Sequence, residues 1–507
     1  MSGIDAIRHE SQWRAWLRAL GAALAAAGIL AGCVTAVYDR ATNEPLSEAT
    51  PPIGAGRADI MSEYSVALAF SGGGLRASAF AYGVLTALRE TETPHGDLLG
   101  DVVQINSVSG GSLTAAYYGL YGREGLDRFR SEVLLPGLQD RLRQSLLNPA
   151  NLMRLLGGGL NGRAEFGDEL DRSVFHGATF AALHARHGPE IRIHATDIYH
   201  RIGFPFLPEA FFLLCSDLSR YRIADAVAAS MAVPLVFAPV VVRSFPGACR
   251  PIPPNLEGFL APKPNAPQNI RALARAAAAY GDPTRPVFIR LADGGLTDNL
   301  GVSSFVNARA AFATPYAPLS AHEAVTVRRL LFIVVDASRP PRGDWIFLDG
   351  APSAIDVALA ATDAAIDSAA RKSADALGSM IHEWERALIA YRCSLSPAEV
   401  AALSGPARWD CADVRISVVY ANLDAVPSPL RERVEAIPTR LSLPDADIEA
   451  AIEAGREATL GLQQLRTYAA ERRANEIDTA RPPRGDARSI SQADTTSGLA
   501  AQPAPGR

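Results

Sequence analysis

The stretch Tyr64 to Arg76 reads YSVALAFSGGGLR and joins an apolar run to a glycine triplet and a helical segment. Glycine permits positive φ and close backbone approach, so successive N–H groups can point into one concavity at the positive end of a helix. Such a loop binds an anion, either a phosphate or the oxyanion of an acyl-transfer reaction. The stretch lacks the Gly-Lys-Ser/Thr ending of a P-loop and the spacing of a dinucleotide fingerprint. A flexible turn without function is the third interpretation.

A second strand-to-helix junction lies in Val102 to Ser112, VVQINSVSGGS. Ser109 stands at its apex among small residues that allow a tight turn, and the N–H of Gly110 follows it. This pattern is typical of a nucleophile elbow, which exposes the serine Oγ beside an oxyanion donor. Ser107 replaces the first glycine of the usual Gly-x-Ser-x-Gly pattern, and a serine-rich turn by itself is more often structural.

A third apolar run ends in Asp293-Gly294-Gly295, with Asp298 and Asn299 close behind. A carboxylate before two glycines is carried on a tight turn, and we expect it in the crevice at the carboxyl edge of the sheet. Asp-Gly is also a common turn signal. Together the three junctions supply hydrogen-bond donors, a nucleophile and a base.

Short apolar runs alternate with helical stretches along most of the chain. They predict six strands: Tyr64 to Phe70, Val102 to Val108, Glu190 to Thr196, Pro286 to Ala292, Leu330 to Asp336 and Val414 to Tyr420. Strands with near-continuous apolar character indicate an α/β fold whose mostly parallel central sheet is covered by helices on both faces. Gly122 to His187 and Ala354 to Tyr391 are richer in helix and are predicted to be helical insertions.

The first 32 residues have the pattern of a signal peptide, because arginines precede the uncharged run Ala19 to Ala31. Leu30 to Cys33 (LAGC) is similar to a bacterial lipobox, whose cysteine is acylated after cleavage, and several acyl chains anchor a protein stably. An uncleaved transmembrane anchor is the second interpretation, and a soluble cytoplasmic start is the third. We expect an exported, membrane-anchored protein, and Val34 favours an outer-membrane lipoprotein that faces the periplasm or the cell surface.

Composition divides the rest of the chain. We predict a flexible linker after a lipidated cysteine over residues 33–60, a catalytic domain over 61–345, a helical C-terminal extension of that domain over 346–471 and a disordered tail over 472–507. Hydrophobic residues make up 48% of the chain, which excludes a mainly disordered protein. The net charge of −5 comes without a dense basic run, so we expect no nucleic-acid partner.

Four cysteines remain if Cys33 is lipidated, and an even number suits an oxidising compartment. Proximity along the chain favours Cys215 with Cys249 and Cys393 with Cys411, although four cysteines allow three pairings and free buried thiols stay open. The chain shows neither the ligand spacing of a zinc site nor a legible calcium site, so we expect no metal and no other cofactor.

The three junctions resemble, in their order, those of the patatin-like phospholipases. The glycine loop matches Gly72 to Arg76, the elbow matches Ser109, and the Asp-Gly-Gly element begins at Asp293. Two further segments also match: His194 to Tyr199 (HATDIY) and Ala229 to Pro234 (ASMAVP). The resemblance covers roughly residues 65–302.

This resemblance implies a Ser-Asp dyad that transfers acyl groups from phospholipid, lysophospholipid or another acyl-ester lipid. Ser109 is expected to attack the ester carbonyl while Asp293 takes its proton. Because an aspartate is ordinarily a weak base, we expect a dry crevice that raises its pKa. The residues expected to form the oxyanion hole are Gly72, Gly73, Gly74 and Gly110. Arg76 either supports the loop, binds substrate phosphate or is a surface arginine.

Two rival functions stay open. A Ser-His-Asp hydrolase needs a histidine after the acid, and only His322 and His382 follow Asp293. A non-catalytic lipid- or partner-binding outer-membrane lipoprotein that keeps the fold is the other, since Ser107 and Ala77 replace glycines of the family's pattern. A lid over the site is expected in one of two segments: Arg123 to Leu160 and Phe204 to Leu214.

Overall fold

An eight-stranded sheet organises the part of the chain that the computed structural model describes, residues 41–50, 60–136 and 165–480. Short gaps within these ranges lie at 95, 187, 235, 254–255, 258–259, 313, 342–346, 348, 350–351 and 407–408. In chain order the strands are β1 Tyr64–Phe70, β2 Val102–Val108, β3 Glu190–Asp197, β4 Ile202–Pro205, β5 Val240–Arg243, β6 Phe288–Asp293, β7 Arg329–Asp336 and β8 Arg415–Asn422. All six strands predicted from apolar runs are present.

The strand order is β8-β7-β1-β2-β3-β6-β5, and β4 pairs with β3 outside this path. The first five of these strands run parallel. β6 is antiparallel to both β3 and β5, and β4 is antiparallel to β3. The prediction of an α/β fold with a mostly parallel central sheet is therefore confirmed.

The helices alternate with these strands. In chain order they are α1 Gly74–Glu90, α2 Gly110–Phe129, α3 Glu165–Leu170, α4 Phe180–His184, α5 Pro208–Leu213, α6 Ile223–Ser230, α7 Gln268–Tyr280, α8 Gly295–Asp298, α9 Ser303–Ala311, α10 Ala321–Thr326, α11 Ala354–Ser394, α12 Pro397–Ala402, α13 Leu430–Ala436, α14 Asp445–Leu460 and α15 Gln463–Ala480. Within the described residues, no helix combines the length and the apolar character needed to cross a bilayer.

Two hydrophobic cores lie on opposite faces of the sheet. Val66, Leu68 and Phe70 of β1 pack into the core beneath α1, α2 and α14. Ala67 and Ala69 of the same strand point into the second core, beneath α9, α10 and α11. Because side chains alternate along a strand, burial on both faces requires an unbroken apolar run.

Residues 41–50 form a docked segment, here called the strap, where the sequence predicts a flexible linker. The Thr42 N–H donates to the Val241 carbonyl of β5 at 3.0 Å. Asn43 exchanges two hydrogen bonds with the Arg243 backbone, both at 2.9 Å, and its amide donates to Ser216 Oγ at 2.8 Å. The prediction is wrong for these ten residues because specific side-chain hydrogen bonds fix a segment whose composition resembles a linker. The rest of the predicted linker lies outside the described residues.

The C-terminal part differs from its prediction at one boundary. β8 pairs with β7 along its whole length, so the predicted extension over 346–471 completes the central sheet. The predicted tail begins too early, because α15 continues to Ala480. Arg472, within the predicted tail, forms ion pairs with Asp101 at 3.4 Å and Glu476 at 2.9 Å that fix this helix. Residues 481–507 lie outside the described part of the chain.

Two disulfides are present, Cys215–Cys249 and Cys393–Cys411, the pairing that proximity along the chain favours. Cys33 and the predicted signal peptide lie outside the described residues. Of the two lid candidates, residues 137–160 also lie outside them. Phe204, Phe206 and Phe211 of the other candidate are buried in the core, so that segment is not a lid.

Candidate active site

Ser109 occupies a strained turn between β2 and α2. Its backbone has φ 50° and ψ −125°, a conformation that is uncommon for a residue with a Cβ. The elbow fits only because its neighbours are small: a Cβ on Gly110 would collide with the carbonyl oxygen of Gly74. Ser107, which stands where the family has glycine, is accommodated because its buried hydroxyl donates to the Arg192 carbonyl at 3.2 Å.

Asp293 lies beside Ser109 at the end of β6, a strand that runs antiparallel to β3. Val108 of β2 pairs with His194 of β3, and the next residue of β3, Ala195, pairs with Asp293 at the end of β6. The antiparallel strand therefore ends level with the elbow. The sequence predicts this carboxylate at the carboxyl edge of the sheet but not the direction of its strand, because an apolar run does not encode direction.

The two side chains form a direct pair. Ser109 Oγ donates a hydrogen bond to Asp293 Oδ2 at 2.7 Å, and Asp293 Oδ1 accepts the Gly295 N–H at 2.8 Å. Burial raises the pKa of Asp293 to about 6, although both hydrogen bonds stabilise the ionised form. The pair is a buried hydroxyl held against a carboxylate of increased basicity.

Four glycine N–H groups are predicted to form the oxyanion hole beside this pair, and the structure, over the residues it describes, leaves only three of them available. Gly72 donates its N–H to the Asn299 carbonyl at 3.1 Å, so it is not a free oxyanion donor. Its absent side chain instead leaves room between Asn299 and Ser109. Within the described residues, no acceptor is recorded for the N–H groups of Gly73, Gly74 and Gly110. These three remain as the oxyanion-hole candidates, and Gly73 adopts φ 141°, which favours glycine.

Ser230, at the end of α6, connects the elbow to the aspartate turn. Its hydroxyl accepts the Ser109 N–H at 2.8 Å and donates to the His194 carbonyl at 2.7 Å. Its own carbonyl accepts the Gly294 N–H at 3.2 Å. The sequence places Ser230 in a segment that matches the family but gives it no role, because a buried serine in an alanine-rich helix carries no local signal.

Asn299 is the second residue whose role the sequence misses. Its carbonyl holds Gly72, and its amide donates weakly to Ser338 Oγ after β7 at 3.4 Å. It therefore links the glycine loop to the carboxyl end of β7. Asp298 beside it accepts the backbone N–H groups of Leu300 and Ser303 and orders the turn.

Arg76 is a buried support of the glycine loop. Its guanidinium donates to the carbonyls of Ala337 at 3.1 Å and Ile437 at 2.7 Å. Burial, with a smaller effect from Arg339, lowers the pKa of Arg76 to about 10. Arg76 is 2% exposed, which excludes the surface-arginine alternative and favours loop support over phosphate binding.

The histidines of the rival triad lie elsewhere. His322 Nδ1 lies 2.7 Å from the Leu403 carbonyl near α12, and His382 is exposed on α11. The Ser109 hydroxyl already donates to Asp293. The geometry therefore gives no support to a Ser-His-Asp arrangement with either histidine.

Residues 68–306 match the family described as Patatin-like phospholipase. This range is a patatin-like phospholipase domain. It includes Ser109, Asp293 and the glycine loop. No curated protein matches the chain.

Solved structures similar to this chain include two of human GIVD cytosolic phospholipase A2. One, in complex with methyl gamma-linolenyl fluorophosphonate, has a TM-score of 0.35 and 13% identity over 81% of this chain and 60% of that chain. The other has a TM-score of 0.36 and 11% identity over 80% and 60%. VipD from Legionella pneumophila has a TM-score of 0.31 and 10% identity over 85% and 71%. The chain thus spans about 60% of the human phospholipase.

Proposed function

We propose that the chain is a serine acyl-ester hydrolase of the phospholipase A or lysophospholipase type, with Ser109 as nucleophile and Asp293 as general base. The observation that carries this proposal is the 2.7 Å hydrogen bond from Ser109 Oγ to a buried carboxylate. The substrate is the acyl ester of a membrane lipid.

In the first half-reaction Ser109 Oγ attacks the ester carbonyl carbon while its proton passes to Asp293 Oδ2. The carbonyl oxygen becomes an oxyanion that accepts hydrogen bonds from the N–H groups of Gly73, Gly74 and Gly110. Collapse of this intermediate breaks the ester bond. The leaving alcohol takes the proton from Asp293, and the acyl group stays on Ser109.

In the second half-reaction a water gives a proton to Asp293 and attacks the acyl-enzyme. Collapse releases the fatty acid, and the proton returns to Ser109 Oγ. The raised pKa of Asp293, about 6, makes it a better base than an exposed aspartate. Each oxyanion donor contributes about 3 kcal/mol to lowering such a barrier.

We also propose that acylated Cys33 holds the enzyme on a membrane, as an outer-membrane lipoprotein facing the periplasm or the cell surface. The lipobox-like tetrad LAGC and the preceding uncharged run support this location. A cysteine with several acyl chains gives stable attachment. Mass spectrometry of the N-terminal peptide tests it, and an unmodified Cys33 in the mature protein contradicts it.

The dyad is tested with defined phospholipids and the full chain. Ser109→Ala and Asp293→Asn are each expected to reduce fatty-acid release by about 10⁴-fold or more, because each removes a partner of the proton transfer. In the unmodified chain, activity is expected to fall below about pH 6, where Asp293 becomes protonated. Product analysis by mass spectrometry measures the released acyl chains.

His322→Ala and His382→Ala are the matched controls and are expected to retain activity. Total loss in either variant contradicts the dyad. A fluorophosphonate probe is expected to label Ser109. A folded chain that is neither labelled nor active supports instead the non-catalytic lipid- or partner-binding lipoprotein.

A further inference from the structure

Large apolar side chains that are exposed in the described part of the chain lie in a few segments of the fold. They occupy the β3–β4 turn, the connections before and after β5, the start of β6, and the segment from β7 into the first turns of α11. Tyr199 is 81% exposed and Phe347 is 85% exposed. The residues used below, here called the apolar rim, are Tyr199, Phe288 and Leu359.

The sheet places the β6 part of the rim on the catalytic side. β6 pairs with β3 only through its last three residues, so its start projects beyond the carboxyl edge of the parallel strands. Phe288 is five residues before Asp293, which puts it about 17 Å further out along the strand. Tyr199 follows the end of β3 at the same edge.

Helix α11 places the other part of the rim on the same side. The helix starts after the carboxyl end of β7 and leads through α12 to the amino end of β8, so its first turns lie at the catalytic edge. Ile366 of α11 lies beside Gly295, two residues after Asp293. Its Cγ1 atom is 3.5 Å from the position that a Cβ on Gly295 would occupy. The residues before it, including Leu359, extend beyond the dyad.

The strap begins at this edge as well. Thr42 pairs with Val241 of β5, and β5 lies beside the projecting start of β6. Cys33 precedes Ala41 by eight residues, which span at most about 28 Å. An anchor at Cys33 therefore keeps the rim and the dyad close to the bilayer, a step that rests on the proposed lipid attachment.

We propose that the apolar rim docks on the bilayer that holds the chain's own N-terminal anchor, with the mouth of the dyad facing the lipid. Aromatic and aliphatic side chains in this setting insert at the level of the headgroups. Docking brings the ester carbonyls of that bilayer to Ser109 without release of the lipid into water. The rim thereby favours bilayer lipid over dissolved esters.

The first test reads orientation without using activity. Tyr199→Trp and Leu395→Trp are introduced separately into the full chain, with Leu395 at the opposite end of α11 as control. Each protein is bound to vesicles of phosphatidylethanolamine and phosphatidylglycerol whose acyl chains carry bromine. The added emission is expected to be quenched for Tyr199→Trp and unchanged for Leu395→Trp. Equal quenching, or none at either position, overturns the proposal.

The second test uses two substrates. The double variant Tyr199→Asp, Leu359→Asp is expected to lose about tenfold in rate on vesicle phospholipid and to keep its kcat/KM on a soluble short-chain ester. Leu395→Asp is expected to keep both rates. Equal vesicle rates for the rim variant and the control overturn docking. If the unmodified chain cleaves neither substrate, the proposed hydrolase fails, while the quenching test still decides docking.

Discussion

Burial of Asp293 has two opposing effects, one on the basicity of its carboxylate and one on the stability of the fold. It raises the pKa of the carboxyl to about 6, which increases its basicity toward Ser109. The same burial makes the ionised form costly in the folded protein. The unfolded chain ionises near 3.8, so the native state binds the proton more tightly and stability falls as the pH rises from about 4 to 6.

Because the ionised Asp293 carboxylate destabilises the folded state, we predict that replacing it with a neutral residue stabilises the protein. Above pH 6 the ionised carboxylate costs about 3 kcal/mol, since one pKa unit corresponds to 1.36 kcal/mol. Asp293→Asn is expected to be inactive but more stable than the unmodified chain at pH 8, with the difference lost at pH 4. Urea unfolding at the two pH values measures it. Asp298→Asn, at a buried carboxylate that accepts two backbone N–H groups, is the control and is expected to gain nothing.

Ser230 carries a second prediction, because its hydroxyl positions the elbow without touching substrate. Ser230→Ala leaves the Ser109 N–H without its acceptor, which costs about 1–3 kcal/mol. We expect kcat to fall about tenfold to a hundredfold with KM little changed. Ser78→Ala is the matched control, because Ser78 is equally buried and bonds Thr114 away from the dyad. An equal loss of kcat in both variants contradicts a positioning role.

Among the elements, the strap and β6 show what local sequence does not determine. The apolar runs predict every strand of six or more residues, because burial on two faces demands them. They do not give the direction of β6, which depends on how the chain returns to the sheet. Composition likewise assigns residues 41–50 to a linker. It cannot reveal the hydrogen bonds of Asn43, whose partners lie 173 and 200 residues away along the chain.

The prediction for a single element concerns how the strap is held on β5. Asn43→Ala removes three hydrogen bonds and leaves the Arg243 N–H unpaired, which is expected to cost about 2 kcal/mol. Hydrogen exchange over residues 42–50 is expected to accelerate. Asn269→Ala is the control, because the Asn269 side chain makes an exposed bond to Asn307. Unchanged exchange in the strap would show that Asn43 does not hold it.

The sequence predicts the reactive groups of the candidate site better than it predicts the contacts that hold those groups in place. The nucleophile and the glycine loop each follow a strand, the base is the last residue of one, and the sequence marks all three with glycines. The commitment of the Gly72 N–H to Asn299 and the support given by Ser230 depend on contacts between distant segments. No local pattern encodes such contacts.

At the scale of the whole molecule, the two edges of the sheet differ in character. The amino ends of β7 and β8 are joined by ion pairs: Arg328 and Arg329 contact Asp413 at 2.6 Å and 2.7 Å, and Arg415 contacts Glu471 at 2.9 Å. The carboxyl edge carries the dyad and the apolar rim instead. Ion pairs therefore lie at the end of the sheet away from the site, and the apolar rim lies at the end that bears it.

The opposed strands that deliver Ser109 and Asp293 also couple chemistry to completion of the fold. The two residues are 184 positions apart and meet only when β6 has joined β3 in its correct register. A slip of one residue would turn the carboxylate to the other face of the sheet. A chain still being synthesised has no paired nucleophile and base. The proposed activity therefore arises only when this part of the sheet is complete.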